Sequence, residues 1–505
     1  MPQVYKDILE FDTIAGSYNT EFLVEGDIII PENYPDILTV LAIDSRTYID
    51  DIFLTSDKIQ FEGRLVLQLL YLSEKDGEMV SVEKEVDYSQ IIEEDIDKRA
   101  RCVAKASVEN LDYRIVNSRK LSIRAVVRIQ SKLFVSEKKE VVVGGEESLG
   151  LQTLKRKVKI IRSVGQNTGE VFVKEKIELG KEEASFRKIL RKQVMVLPEE
   201  AKVSENKVIV QGNLKCQILY ISAEGDLKSQ EVGLKYANFV DVPGALNYMR
   251  ANTSEEVVDV EVTLLEDETG ESRALDVEII MKVHVEVYEE EERDIPVDAY
   301  GTQLYVEPLR EATRALSSIK SYSSQFIVKT EVELPSMVKR IMEVFSSISI
   351  SDYNWEKDKL ILEGVLNYAV LYVSEDGGIK SYKDEYPFRT FLETDGEGEV
   401  FVEIFVTHVS YEINGVKEVE LKFTLESHVE VLEELQLDFV HDLKEVDIPR
   451  AEAHHSIIIY MVQKGEKLWD IAKRYRVSVE DLITTNELSD EKVSEGEKLI
   501  IPVKR

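Results

Sequence analysis

Cysteine, histidine and tryptophan are scarce in this chain, whose 505 residues hold two Cys, six His and two Trp. Cys102 and Cys216 cannot build a disulfide framework, and neither stands in a Cys-x-x-Cys pair of the kind that binds zinc or cycles redox state. That scarcity fits a reducing compartment. Basic residues are also in deficit, 63 Lys and Arg against 97 Asp and Glu, for a formal net charge of −34. Nucleic-acid affinity rests largely on cations meeting phosphates, so this balance argues against general nucleic-acid binding and favours solubility and attraction to basic surfaces. No apolar run is long enough for a membrane-spanning helix, and the opening MPQVYKDILE has no signal-peptide apolar core. The expectation is a cytoplasmic protein without integral membrane insertion.

Catalytic signatures are missing as well. His284, His408, His428 and His441 form no metal-ligand cassette, and the adjacent His454 and His455 fall in a polar stretch with Pro449 that reads as a linker. Gly144-Gly145 has neither the Lys-Ser/Thr of a phosphate loop nor the spacing of a dinucleotide loop, and reads as an interdomain turn. No spacing sets apart an acid–base pair of carboxylates or an activated nucleophile. No catalytic residue, cofactor or metal site is expected, and the chain reads as non-enzymatic. The acidic run at 289–292 reads as a solvated connector.

What the chain does have is a hydrophobic share of 43%, enough for several folded cores, and a pattern that recurs three times. Gly63, Gly212 and Gly364 each open a strand that reaches Leu-Tyr at Tyr71, Tyr220 and Tyr372, followed by acidic-glycine turns at Asp76-Gly77, Glu224-Gly225 and Asp376-Gly377. These glycines lie 149 and 152 residues apart, which indicates repeated domains rather than a short-period solenoid. Earlier landmarks at 28–31, 177–180 and 332–335 recur, and so do later period-two stretches at 121–129, 275–287 and 419–431, as in sheets with one solvated face. The spacing at 91–97 and 337–345 admits short helices. The fold class is therefore mainly β: three similar β-rich domains with minor helices, at 1–145, 146–295 and 296–446, then a linker at 447–456 and a small β-α-α-β domain at 457–505.

That last domain is patterned in detail. A strand over 457–462 leads to Gly465, after which Leu468, Ile471, Ala472 and Tyr475 recur at helical spacing. Ser478 is placed to cap a second helix, with Asp481 three positions on and an apolar face of Val479, Leu482 and Ile483. Leu488 then packs, Gly496 turns the chain, and a strand over 498–502 closes the unit. Trp469, on the first helix, reads as a core residue. From 460 to 505 there are nine basic and nine acidic residues, so the unit is locally neutral on an acidic chain.

The motif Tyr460-x-Val462-x-x-Gly465, the run from Leu468 to Ala472, Asn486-x-Leu488 and the Gly496 to Pro502 ending resemble a LysM domain. The resemblance implies a ligand groove formed by Gly465, Glu466, Lys467 and Leu468 on one side and Asn486, Glu487, Leu488 and Ser489 on the other. LysM domains usually bind N-acetylglucosamine glycans. Here the usual Gly-Asp-Thr/Ser is Gly465-Glu466-Lys467, which replaces a short hydroxyl by a long cation better suited to protein carboxylates. The three upstream repeats resemble SPOCS domains, and the order of modules resembles the SipL-like family of spore-coat morphogenetic proteins. That resemblance implies a non-enzymatic adaptor on the mother-cell side of the forespore surface, which recruits or encases coat by LysM contact with the basement-layer spore-coat morphogenetic ATPase, other coat proteins being further partners. The alternative is a peptidoglycan-binding anchor of the wall or cortex.

Overall fold

The computed structural model describes residues 3–180, 183–446 and 457–502. Apolar residues alternating with polar ones produce strands throughout the first 446 positions. The first six are β1 (Val4–Ile29), β2 (Ile37–Leu54), β3 (Lys58–Ser73), β4 (Met79–Glu93), β5 (Arg101–Asn117) and β6 (Lys120–Gly145). They make two antiparallel three-stranded sheets, ordered β1-β6-β5 and β2-β3-β4. Leu121, Ile123, Ala125 and Val127 of β6 pack against Leu65, Leu67, Leu69 and Tyr71 of β3, so the two sheets share one core as a sandwich.

The same plan is built twice more. The second unit comprises β7 (Leu151–Glu178), β8 (Phe186–Ser204), β9 (Lys207–Ser222), β10 (Leu227–Asp241), β11 (Arg250–Glu266) and β12 (Ser272–Gly301), in sheets β7-β12-β11 and β8-β9-β10. The third comprises β13 (Val306–Glu333), β14 (Val338–Trp355), β15 (Lys359–Ser374), β16 (Ile379–Glu393), β17 (Glu399–Ile413) and β18 (Glu418–Glu445), in sheets β13-β18-β17 and β14-β15-β16. Gly144 and Gly145 end β6, and a 3-10 turn at Glu147–Leu149 leads to β7. β12 runs on to Gly301, across the 295/296 division.

The central glycines are held by close approach. Gly63 pairs with Tyr88, Gly212 with Tyr236 and Gly364 with Phe388, each an aromatic residue on the neighbouring strand. A Cβ at Gly364 would lie 2.6 Å from the Phe388 ring and 2.6 Å from the Ser349 carbonyl oxygen. The ring covers the glycine as a side chain would, so Gly364→Ala should lower the unfolding free energy by about 2 kcal/mol through overpacking. Gly233→Ala on β10, where nothing lies within 4 Å of the added carbon, should leave the urea midpoint nearly unchanged. Beyond each Tyr, the buried residues Ser73, Ser222 and Ser374 close the turn, while Gly77, Gly225 and Gly377 take φ of +68°, +87° and +84°.

Two sequence expectations are corrected here. Residues 91–93 belong to β4 and 338–345 to β14, so neither stretch is helical. β14 has register shifts between Val338 and Arg340 and between Ile341 and Glu343. Each bulge inserts one residue, so Val338, Ile341 and Val344 all face inward at a three-residue spacing that imitates a helix. β2 and β8 are bulged at matching places. The acidic run 289–292 is no solvated connector either, because it lies within β12 opposite β7. Its charges are matched there: Glu289 by Arg162 (2.5 Å), Glu290 by Lys159 (2.7 Å), Glu291 by Arg293 (2.7 Å) and Glu292 by Lys157 (3.5 Å).

The long strands extend past their sandwiches. β6 pairs with β5 only as far as Phe134 and from there to Gly145 with β1 alone, leaving a two-stranded ribbon. The ribbons of the three units pack together through Leu9, Phe11, Val141, Val158, Ile160, Ile295, Ala315, Leu437 and Phe439. The small sheets meet in turn through Leu41, Leu70, Leu190, Leu219, Phe345 and Leu371. Each unit touches both others, and the body is a closed group of three with a ribbon stalk.

Polar contacts seal the same seams. Lys132, Glu286 and Glu430 occupy matching positions on β6, β12 and β18, and each reaches into a different unit. Lys132 pairs with Glu399 at 2.8 Å, Glu286 with Arg101 at 2.5 Å, and Glu430 accepts from Asn252 at 2.9 Å.

Candidate functional site

The terminal unit consists of β19 (Ile457–Met461), α1 (Leu468–Tyr475), α2 (Val479–Thr485) and β20 (Lys498–Pro502). The strands pair antiparallel, and the helices bury Leu468, Ile471, Ala472 and Leu482 against Leu499 and Ile501. Two short strands need such a cover to be stable. The Ser478 hydroxyl accepts from the Asp481 amide at 2.9 Å, as the sequence pattern implies. The expected linker, 447–456 with Pro449, His454 and His455, lies outside the described residues.

Four of the eight candidate groove residues hold the unit together. Glu466 accepts from the Tyr460 hydroxyl (2.7 Å), the Gln463 amide (2.9 Å) and Arg474 (2.7 Å). The Gln463 amide, then Tyr460 and Arg474, keep its carboxyl below the ordinary value. Leu468 is buried in the core. Asn486 ties α2 to β20: its amide donates to the Leu482 and Ile500 carbonyls (2.9 and 2.8 Å), and its oxygen accepts from the Ile500 amide (2.6 Å). Leu488 packs on the same core.

The other four, Gly465, Lys467, Glu487 and Ser489, are exposed. Gly465 has φ +80° and Glu487 φ +53°, so both sit in tight left-handed turns. Lys467 occupies the N-cap of α1, and the Asp470 carboxylate accepts from its backbone amide at 3.2 Å. A lysine side chain carries no acceptor for the reciprocal bond. Lys467→Thr should therefore complete the cap and stabilise the module by about 1 kcal/mol, read as a rise in the melting temperature of its amide signals.

The module is seated on the stalk, a contact that no sequence pattern announced. Near the end of β12, the Asp298 carboxylate accepts from Trp469 Nε1 (2.8 Å), Lys473 (2.6 Å) and Arg310 (2.6 Å). Burial pushes the Asp298 carboxyl up, but the hydrogen bonds from Lys473, Trp469 and Arg310 together outweigh it and hold the group below its ordinary value. Tyr300 meets Trp469 edge to face, with centroids 5.0 Å apart, and its hydroxyl donates to the Val477 carbonyl at 2.7 Å. The Arg476 guanidinium lies 3.2 Å from the Tyr305 ring centroid. Trp469 is consequently only 9% exposed, buried by its own module and the body together.

No group of three or more His, Cys, Asp or Glu that could hold a metal ion occurs among the described residues. Both cysteines are free thiols, Cys102 pushed up to about 12 and Cys216 to about 11 by burial. No helix among the described residues is long and apolar enough to cross a membrane.

Comparison with known proteins follows this division of the chain. The family model described as SipL, SPOCS domain, matches residues 36–116, 186–265 and 337–414, and the LysM domain model matches 460–502. The three SPOCS matches cover β2 to β5, β8 to β11 and β14 to β17, leaving the long ribbon strands outside. No curated protein and no solved structure matches the chain. SPOCS and LysM domains are non-catalytic scaffolding and binding modules. The chain thus carries three SipL-family SPOCS repeats followed by a C-terminal LysM domain, the make-up of a SipL-like spore-coat protein.

Proposed function

We propose that this protein is a spore-coat morphogenetic adaptor on the mother-cell side of the forespore surface, recruiting or encasing coat by binding the basement-layer ATPase through its LysM module. The observation that carries the reading is a LysM module seated at the end of the three-unit body with its candidate loop surface still exposed in part. Gly465, Lys467, Glu487 and Ser489 are the exposed part of that surface. Lys467 supplies a cation for a protein carboxylate where glycan-binding relatives carry a short hydroxyl. The three SPOCS units offer further faces to other coat proteins.

The test is binding of the full chain to the purified ATPase and, in parallel, to peptidoglycan fragments. ATPase binding that weakens on Lys467→Glu or Ser489→Arg, with little glycan uptake, is the expected result. Glycan binding without ATPase association would overturn the reading and make the chain a wall or cortex anchor.

A further inference from the structure

The seat of the LysM module is a protein-binding platform in its own right. On the body it consists of Asp298, Tyr300, Tyr305 and Arg310, and on the module of Trp469, Lys473 and Arg476. The two halves belong to separately folded units joined by the ten residues 447–456, a tether that spans at most roughly 35 Å. Across the seam the contacts are a carboxylate taking two donors from the module, a tyrosine hydroxyl on a module carbonyl, one aromatic pair, one guanidinium over a ring, and the packing of Tyr300 and Leu154 on the module's apolar cluster. Such a polar and aromatic seam between units resembles a transient interface more than a core.

We propose that this platform also receives the LysM module of a second copy of the chain, so that the seat links copies by module exchange. Every contact needed for the exchange is already made within one chain, and swapping requires no new surface. The choice between the two modes is set by concentration. A connection of only ten residues presents its own module at an effective concentration on the order of millimolar, so dilute protein closes on itself. A crowded shell, in which neighbouring modules reach comparable local density, shifts seats toward neighbours. Reciprocal exchange closes a pair, whereas non-reciprocal exchange runs on as an open chain suited to covering a surface. The inference concerns self-association alone and does not depend on which outside partner meets the loop surface.

Complementation of two full-length variants tests it, both carrying Trp355→Phe so that Trp469 is the sole indole. The first, Asp298→Ala with Tyr300→Ala, lacks the platform but keeps its module. The second, Lys473→Glu with Arg476→Asn, keeps the platform; Asn suits the left-handed backbone of position 476, where φ is +54°. Circular dichroism checks that both are folded, and Asp298→Asn alone replaces the first variant if the double change unfolds it. The first variant by itself should show Trp469 newly open to acrylamide quenching. Mixed at concentrations up to roughly millimolar, the pair should sediment at twice the 57.8-kDa chain mass and protect the first variant's Trp469 again, the second variant's own module having no platform to enter. A first variant whose Trp469 stays protected would show that the platform does not hold the module. An open first variant that never associates with the second over that range would show that the seat works within one chain only.

Discussion

Asp12→Ala is expected to lower the unfolding free energy of the body by about 3 kcal/mol, read as a lower urea midpoint at unchanged slope. Asp12 is fully buried on β1, where the first and second units meet. Its carboxylate accepts from Arg101 of β5 (2.9 Å), the Ser136 hydroxyl of β6 (2.5 Å) and the Ser163 amide of β7 (3.1 Å). Truncation leaves the half-buried Ser163 amide without its acceptor, and an unsatisfied group of this kind costs about 1–3 kcal/mol, whereas the exposed Ser136 hydroxyl can turn to water. Arg101 keeps Glu286 at 2.5 Å, which caps the loss. Because Asp12 and Arg101 act as one unit, Asp12→Ala measured in an Arg101→Met background should cost less than in the parent chain. Equal costs in the two backgrounds would mean that the pair is not coupled.

Recognition of the body from sequence worked where a residue's job is local. Gly63, Gly212 and Gly364 were legible because a tight approach between strands admits glycine in every copy, and the acidic-glycine turns were legible because φ above zero favours glycine. The buried turn residues Ser73, Ser222 and Ser374 stand at one interval after each Leu-Tyr and carried the same signal, although the anchors were read without them. Where a bulge or a distant strand decides, the reading failed. The bulges of β14 turned a two-residue period into a three-residue one, and Glu289, Glu290 and Glu292 gain their Lys and Arg partners from β7, more than a hundred positions away. Within the LysM module the cap at Ser478 and the core positions followed from spacing alone. Asn486, by contrast, spends its amide on α2 and β20, and the seat on Asp298 joins positions 171 residues apart, which no local pattern encodes.

The second large effect is one of pH, at Glu256 on β11. This side chain is packed where the second unit meets the first, and Arg64 of β3 donates to the Val258 carbonyl beside it. Burial dominates its environment, with Asp50 adding repulsion while Lys282 and Arg64 pull the other way, and the carboxyl is pushed up to about 7. In the unfolded chain a glutamate titrates near its ordinary 4.5. Between those two values the folded state holds a proton that the unfolded state has released, so stability falls as pH rises from about 4.5 to about 7. Below that window both states are protonated and the group is neutral in effect; above it the full cost of a buried anion is present. Glu256→Gln removes the cost and keeps the shape, so it should raise stability by about 3 kcal/mol at pH 8 and by little at pH 4.5. Urea midpoints of the parent and the variant across that range check the sign directly. A variant whose advantage is constant with pH, or largest in acid, would mean that Glu256 is ionised in the fold and matched by Lys282 and Arg64 rather than stripped of solvent.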